Sequence, residues 1–149
     1  MTVLTCAVAL KLVEAILAEG KVRGFAPLTA AVLDAGGHVV ALARDDGSSL
    51  LRPQIATGKA WGVLGMGFGG RELAQRAAKM PAFFTAAIEL ADGKMVPVPG
   101  GVLIRDAGGR IVGSVGVSGD TSDNDEICAV AALQAVGGPL GLKADTGAA

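Results

Sequence analysis

Lys59 is the basic residue of this sequence whose setting is best suited to chemistry. It lies in a run of small and apolar residues, Ile55 to Trp61, with helical spacing. If the helix buries this lysine, loss of hydration lowers its pKa and suits it to bind an anion or to move a proton. The alternative is that its aliphatic stem follows the surface and its ammonium group reaches water.

A run of acidic and polar residues precedes the last predicted helix and supplies two candidate bases, Asp120 and Asp125. The run also predicts a capping box, formed by Ser122 with Asp125 or by Asp123 with Glu126, and first-turn carboxylates suit the helix dipole. More acids are present than a cap requires, but their spacing differs from that of a calcium-binding loop. We therefore favour capping and predict no metal ligand.

Together these residues support one enzymatic hypothesis, a cofactor-independent isomerase or tautomerase that acts on a small carboxylated metabolite. Lys59 and Arg44 would bind the substrate carboxylate, and an aspartate of the acidic run would remove the proton. Free backbone N–H groups near Gly100 and Gly119 would stabilise an enolate oxygen at the mouth of a pocket. The candidate catalytic residues are Lys59, Asp120 and Asp125, and the candidate ligand-binding residues are Arg44, Asp45, Lys59, Pro99, Gly100, Gly101, Gly119 and His38.

The single histidine, His38, follows a turn motif that occurs twice. Residues 34–40 and 106–112 both read Asp-Ala-Gly-Gly, then His or Arg, then Val or Ile, then Val. The glycines supply the positive φ angles of a tight hairpin. The second copy holds Arg110 at the equivalent position, and arginine is almost never fully buried without a partner. We therefore expect His38 to be exposed; the alternatives are a haem or metal ligand or a proton shuttle.

A glycine-rich run, Gly65 to Gly70, has the composition of a phosphate-binding loop. It follows a predicted helix rather than a strand, and neither a Gly-Lys-Ser/Thr sequence nor a downstream acidic partner for a ribose accompanies it. We interpret it as a linker between two helices.

Helical and strand patterns alternate along the chain in the order α-β-β-α-α-β-β-α. Strands that come as hairpins form an antiparallel sheet, so the pattern predicts an α+β domain with helices packed on the sheet. The predicted helices are at about Leu4–Glu19, Ser49–Leu64, Glu72–Lys79 and Asp123–Val136, with a helical turn or two within Ala82–Ala91, and the predicted strands are at Leu28–Asp34, Val39–Arg44, Val102–Asp106 and Ile111–Ser118.

The length and composition favour a single domain over residues 1–149. A chain of 149 residues can bury a proper core without disulfides or metal ions. We predict an ordered core over about residues 4–140 and a frayed tail beyond Lys143. The residues are 51% hydrophobic but only 3% aromatic, which is typical of closely packed small side chains and favours burial of further apolar surface in an oligomer.

The charge pattern disfavours several partners. The formal net charge is −1 and no basic run is present, which argues against nucleic acid and against an anionic membrane surface. We find neither an export signal nor a membrane span in the sequence, and we expect a cytoplasmic protein. The spacing of His38, Cys6 and Cys128 does not match a structural zinc site.

Four segments of the chain resemble the GlcG/HbpS-like family, which includes the C-terminal domain of PduO-type corrinoid adenosyltransferases. They are D-x-x-G-x-x-V-A-L-x-R-D-x-G-x at Asp34 to Ser48, I-A-x-x-K-A at Ile55 to Ala60, P-G-G-V-x-I at Pro99 to Ile104, and I-V-G-S-V-G-V-S-G-D with the acidic run and alanine-rich helix at Ile111 to Ala135. The resemblance covers roughly residues 4 to 138.

This resemblance implies a profilin-like antiparallel sheet and assembly into dimers and often octamers. It also implies haem binding in some members, whereas one kind of relative is described as a hydroxymuconate tautomerase. A haem site here would use His38, with Lys or Arg side chains on the propionates. Cys6 and Cys128 lie in apolar surroundings, where a free cysteine is usually structural.

Three functions therefore stay open. We rank a protein that binds a small molecule, haem or another tetrapyrrole, slightly above the isomerase, because the sequence shows no nucleophile and base as a pair. The third reading is a structural or regulatory oligomer without a small ligand. Absence of a pocket where Lys59, Pro99 and Asp120 converge would favour that third reading.

Overall fold

The computed structural model describes residues 3–148 and shows an α+β domain. Its elements, in chain order, are α1 (Cys6–Val22), β1 (Thr29–Asp34), β2 (Val39–Arg44), α2 (Arg52–Met66), α3 (Gly70–Lys79), α4 (Pro81–Leu90), β3 (Gly101–Arg105), β4 (Ile111–Ser118), α5 (Ser122–Ala132), a π-helical turn (Leu133–Gly137), a 3-10 turn (Gly138–Leu140) and β5 (Lys143–Asp145). The predicted fold class is confirmed. The predicted element order up to α5 holds except that three helices, not two, lie between β2 and β3. No helix in this part of the chain is long and apolar enough to cross a membrane.

The five strands form one antiparallel sheet in the order β2-β1-β4-β3-β5. Alternate residues of the central strands pack into two cores, one on each face of the sheet, because successive side chains point to opposite faces. On one face Val32 and Val115 pack with α1 and α5. On the other face Ala31 and Leu33 pack against α2. Both faces of β1 and β4 are covered, which explains why these strands read as nearly continuous small and apolar runs.

Several predicted boundaries shift for identifiable reasons. Helix α1 begins at Cys6 rather than Leu4 because the Thr5 side chain caps it, accepting a hydrogen bond from the Val8 N–H at 3.2 Å. Helix α2 continues past Leu64 to Met66, and Gly67, with a φ of 77°, terminates it. The linker prediction for the glycine run is confirmed only for residues 67–69, between α2 and α3.

The tail is the main error of the sequence-based prediction. Beyond Lys143 we expected a frayed end, but residues 143–145 form β5 and pair with β3. The preceding Leu142 is 4% exposed, and Arg105 donates to Asp145 at 2.8 Å. Three residues are too few to show strand periodicity, and the pairing partner lies about 40 residues away in the chain. The segment around residues 82–91 was also underestimated, since α4 is a full ten-residue helix.

Gly116 of β4 sets the approach of α2 to the sheet. A Cβ built on this glycine would overlap the Ala56 carbonyl oxygen and lie 2.9 Å from the Ala60 amide nitrogen, so it would meet α2 backbone rather than a movable side chain. Ser114, two residues earlier on the same face, donates to the Ala60 carbonyl at 2.7 Å. Helix α2 therefore packs directly against the backbone of β4.

We expect Gly116→Ala to lower the free energy of unfolding by about 1–3 kcal/mol or more, because the added methyl group forces α2 away from the sheet. Urea unfolding at equilibrium measures this loss. Gly138→Ala is the matched control: its Cβ would have nothing within 4 Å, and it should change stability by less than about 0.5 kcal/mol. Equal stabilities of the two variants would contradict the close packing.

Candidate functional site

Lys59 and Asp125 form an ion pair inside the protein. Lys59 Nζ lies 3.0 Å from Asp125 Oδ2 and donates to the Val117 carbonyl at 2.9 Å. Lys59 is 2% exposed and Asp125 1%. Burial lowers the pKa of Lys59 and raises the pKa of Asp125, while each charge opposes the shift of the other. Of the two alternatives left open for Lys59, the structure shows the buried, desolvated lysine and not the surface-reaching ammonium group.

This ion pair connects three elements rather than facing a cavity. Its lysine belongs to α2, its aspartate to α5, and the Val117 carbonyl to β4. Asp125 Oδ1 also accepts from the Asp120 backbone N–H at 3.0 Å. A substrate carboxylate has no route to Lys59 Nζ in this conformation, because the side chain is buried and bonded. In this conformation the pair is a structural link.

Each carboxylate of the acidic run has a specific hydrogen-bonding partner, which explains why the run holds more acids than a helix cap requires. Asp120 Oδ2 accepts from the Ala26 N–H at 2.7 Å, and its Oδ1 accepts from the Thr121 N–H and from the Asn124 amide. These hydrogen bonds, chiefly the one from Ala26, lower the pKa of Asp120. Asp120 therefore holds the loop before α5 against the segment before β1, and both of its carboxylate oxygens accept hydrogen bonds.

The predicted capping boxes are wrong in their residues. Thr121 caps α5, and its hydroxyl accepts from the Asn124 N–H at 3.2 Å. The two remaining acids bind a residue that the sequence did not single out: Arg71, on α3, donates to Asp123 at 2.7 Å and to Glu126 at 3.0 Å. This cross-link between α3 and α5 spans 52 to 55 residues, so no local pattern signals it.

The remaining predicted ligand-binding residues are dispersed. Arg44 donates to the Ser48 carbonyl at 2.6 Å, and Asp45 pairs with Lys21 at 3.5 Å. We expect free backbone N–H groups after Pro99 at the mouth of a pocket, and the structure does not place them there. Gly101 begins β3 and lies opposite Gly116. The predicted residues of this group are all buried or half-buried: Pro99, Gly100, Gly101 and Gly119. Gly100 and Gly101 do lie next to Lys59: a Cβ on Gly100 would be 2.9 Å from Lys59 Nζ, and one on Gly101 would be 2.9 Å from the Lys59 carbonyl carbon.

His38 lies on the β1–β2 turn, and its side chain is 82% exposed, as expected. One oxygen of Asp34, Oδ1, organises this turn. It accepts from the Gly36 and His38 backbone N–H groups, each at 3.0 Å, and lies 3.3 Å from His38 Nδ1. The backbone hydrogen bond from His38 is the main cause of the lowered pKa of Asp34. The carboxylate, the turn and the imidazole form one unit.

A cavity of about 620 Å³ adjoins His38. Its volume falls within the usual range of small-molecule sites, about 300–1,000 Å³. The cavity lies between the β1–β2 hairpin, α2 and the segment after α4, and it is lined by Gly36, Gly37, His38, Leu42, Pro53, Gln54, Thr57, Gly58, Trp61, Gly93 and Lys94. Lys94 Nζ lies 5.9 Å from the centre of the Trp61 ring, a cation–π arrangement.

The two copies of the turn motif differ in what surrounds them. A Cβ on Gly37 would lie 3.0 Å from Trp61 Nε1, so the first turn rests against α2. The equivalent Gly109 has nothing within 4 Å, although its φ is the same, 85°. Arg110 lies at the position of His38 and pairs with Asp106 at 3.2 Å. The neighbouring indole, not the turn itself, therefore gives His38 its cavity.

Other candidate ligand groups are less available. Cys128 is fully buried, and burial raises the pKa of its thiol to about 11, so it stays protonated near neutral pH. Cys6 is exposed, and neither cysteine of the described chain forms a disulfide. Over residues 3–148 no three His, Cys, Asp or Glu side chains gather in a metal-binding group.

The fold and cavity define a small α+β domain with a ligand-sized site at one hairpin. The chain belongs to the HbpS-like family: the model of the family described as haem degrading protein HbpS-like matches residues 4–134. This confirms the resemblance drawn from the sequence motifs.

Comparison with individual proteins agrees with this assignment. The chain is 28% identical over 130 residues to an uncharacterized 15.0 kDa protein encoded between dhaT and dhaS in Citrobacter freundii, covering 87% of this chain and 89% of that protein. It superposes on the crystal structure of HbpS with a TM-score of 0.78 and 26% identity, over 91% of this chain and 92% of that one. The complex of PduOC with heme gives a TM-score of 0.79, over 91% and 96% of the two chains; at 24% identity it shows likeness of fold alone.

We expect Asp125→Asn to lower the free energy of unfolding by about 3–5 kcal/mol, because it leaves the Lys59 ammonium buried without a counter-charge. Replacing both members, Lys59→Met with Asp125→Leu, should restore much of the loss, since no charge is then buried. Equilibrium urea unfolding measures both effects.

The matched control is Asp123→Asn, which breaks an ion pair whose carboxylate is 73% exposed and should cost less than about 1 kcal/mol. If Asp125→Asn were no more harmful than Asp123→Asn, the internal pair would not be the link between α2 and α5 described above.

Proposed function

We propose that this protein binds haem or a closely related tetrapyrrole in the His38 cavity, with His38 as the axial ligand. The observation that carries the proposal is the position of the imidazole: the chain's single histidine lies at the rim of a cavity of about 620 Å³. Membership of a family described as haem degrading supports the ligand class.

The residues of the cavity fit such a ligand. His38 Nδ1 faces the Asp34 carboxylate, so Nε2 is left to bind iron. The Trp61 indole offers a flat apolar surface to a macrocycle, and the Lys94 ammonium group suits a propionate. Gly36, Gly37 and Gly93 lie at the rim, where the absence of side chains leaves room for a planar ligand.

The protein's part is to hold the ligand and to shape its surroundings. A bound haem supplies an iron centre whose redox and ligand-binding behaviour depends on the axial group. His38 would bind the iron, Lys94 would hold one carboxylate, and Trp61 would shield one face from water. The hairpin fixes the imidazole relative to α2, because Gly37 rests against Trp61.

Titration of the protein with hemin tests this proposal. We expect a shifted Soret band at stoichiometric ratio, and a loss of affinity of more than about 10-fold in His38→Ala, since even outer partners of a metal ligand are worth about 10–100-fold. Arg110→Ala is the matched control, because it changes the same position of the second hairpin and should bind hemin like the wild type.

Two outcomes would contradict the proposal. The spectrum of free hemin in the presence of equimolar wild-type protein would rule out haem binding. An unchanged Soret shift and affinity in His38→Ala would rule out this histidine as the ligand.

We also propose that the chain self-associates, as a dimer or a higher oligomer up to an octamer, through helix α4. This helix buries only Phe84 against the domain. Leu90 is 88% exposed and Phe83 53%, and Met80 extends the same apolar surface. Phe83 and Leu90 are seven residues apart and so share one face of the helix, and an exposed apolar helix face is typical of a protein–protein contact.

Light scattering after size-exclusion chromatography checks this second proposal. The wild type should elute as an oligomer, and Phe83→Glu with Leu90→Glu should reduce its mass, because two buried charges would oppose association. Val22→Glu, at the end of α1, places one new charge on a side chain that is 84% exposed and should leave the mass unchanged. A monomeric wild type would refute self-association, and an oligomeric double variant would refute the role of α4.

We further propose that the protein works in the cytoplasm. Both cysteines are free thiols, which suits a reducing compartment. Fractionation of the cells that produce the protein, followed by detection with an antibody, tests this; recovery in an exported fraction would refute it.

A further inference from the structure

The Asp34 carboxylate fixes which nitrogen of His38 carries the proton. Its Oδ1 accepts from two backbone N–H groups and lies 3.3 Å from His38 Nδ1. An ionised carboxylate can only accept, so a neutral imidazole must donate from Nδ1. The hydrogen-bond network therefore assigns the lone pair to Nε2, the nitrogen on the far side of the ring from the carboxylate.

We propose that Asp34 is a positioning residue for haem: it holds the His38 ring in the orientation and tautomer that bind iron, and its charge strengthens the histidine as a ligand. This inference rests on the proposed function. Carboxylates that accept from the second nitrogen of a metal-bound histidine have this effect generally, since they raise the basicity of the ligand.

The turn is built to keep the carboxylate and the imidazole together. The two residues are four positions apart across the hairpin, and the same Asp34 oxygen closes the turn by accepting from Gly36 and His38. The ring folds back over Gly36, where a Cβ would lie only 3.0 Å from His38 Nδ1 and Cε1. A side chain at position 36 would therefore crowd both the ring and Asp34 Oδ1, which lies 3.4 Å from the same Cβ position.

The charge of Asp34 can be removed without removing the turn. In Asp34→Asn the amide oxygen replaces Oδ1 as an acceptor for the backbone N–H groups, so the hairpin is retained. What is lost is the negative charge next to Nδ1. Both side chains are exposed, His38 by 82% and Asp34 by 48%, so solvent screens part of the effect.

The second hairpin supplies a matched control. Asp106 Oδ1 accepts from the Gly108 N–H at 2.9 Å and the Arg110 N–H at 3.0 Å, as Asp34 does in the first turn. Asp106→Asn therefore makes the same chemical change in the same kind of turn, but beside an arginine that cannot bind iron. Any effect of altered turn stability should appear in both variants.

The experiment compares hemin complexes of the full chain: wild type, Asp34→Asn, Asp106→Asn and His38→Ala. We expect Asp34→Asn to bind hemin about 10-fold more weakly, the lower end of the 10–100-fold range for such outer partners. Its ferrous complex should show a lower Fe–His stretching frequency by resonance Raman and a higher reduction midpoint potential. Asp106→Asn should match the wild type in all three measurements.

The possible results separate this inference from the proposed function. If the wild type binds hemin and His38→Ala does not, but Asp34→Asn matches the wild type in affinity, stretching frequency and potential, the role of Asp34 is overturned and haem binding stands. If Asp34→Asn and Asp106→Asn weaken binding equally with an unchanged Fe–His frequency, Asp34 is structural only and the inference is again overturned. If the wild type does not bind hemin, both are overturned.

Discussion

The position of helix α2 on the sheet is the constraint on which the rest of the structure depends. Three contacts with β4 set it: the missing side chain of Gly116, the hydrogen bond from Ser114 to the Ala60 carbonyl, and the bond from Lys59 to the Val117 carbonyl. The buried ion pair of Lys59 with Asp125 then joins this helix to α5. Because a buried charge needs its partner, the pair fixes a geometry that an apolar contact would leave looser.

The cavity follows from this placement. Helix α2 turns its small residues and Lys59 to the sheet, and its neighbouring face carries Thr57 and Trp61 into the cavity. The segment after α4 is held along the same helix, since the Val96 N–H donates to the Gly58 carbonyl at 3.1 Å and so places Lys94 at the rim. The hairpin with His38 closes the third side. One helix therefore presents one face that packs on the sheet and another that lines the cavity.

Local patterns in the sequence were sufficient for the fold and for part of the site. Strands β2 and β4 were predicted to the residue, because glycine turns mark the adjoining hairpin ends. The exposure of His38 followed from the repeated turn motif. Two of the errors lie where the deciding contact is distant: β5 depends on pairing with β3, and the carboxylates of residues 123 and 126 depend on Arg71. The cap of α5 is a local contact, but three neighbouring residues could have formed it and the sequence does not decide among Thr121, Ser122 and Asp123.

By itself the sequence determined the element types, the turns and the list of residues able to do chemistry, because periodicity and turn conformation are properties of neighbouring residues. Only the tertiary structure decided what those residues do. Lys59 and Asp125 are 66 positions apart, and their meeting in the interior makes them partners of each other. The two turns with the same Asp-Ala-Gly-Gly sequence have different surroundings. The first rests on Trp61, so His38 lies beside a cavity. The second has no such neighbour, and Arg110 lies in solvent.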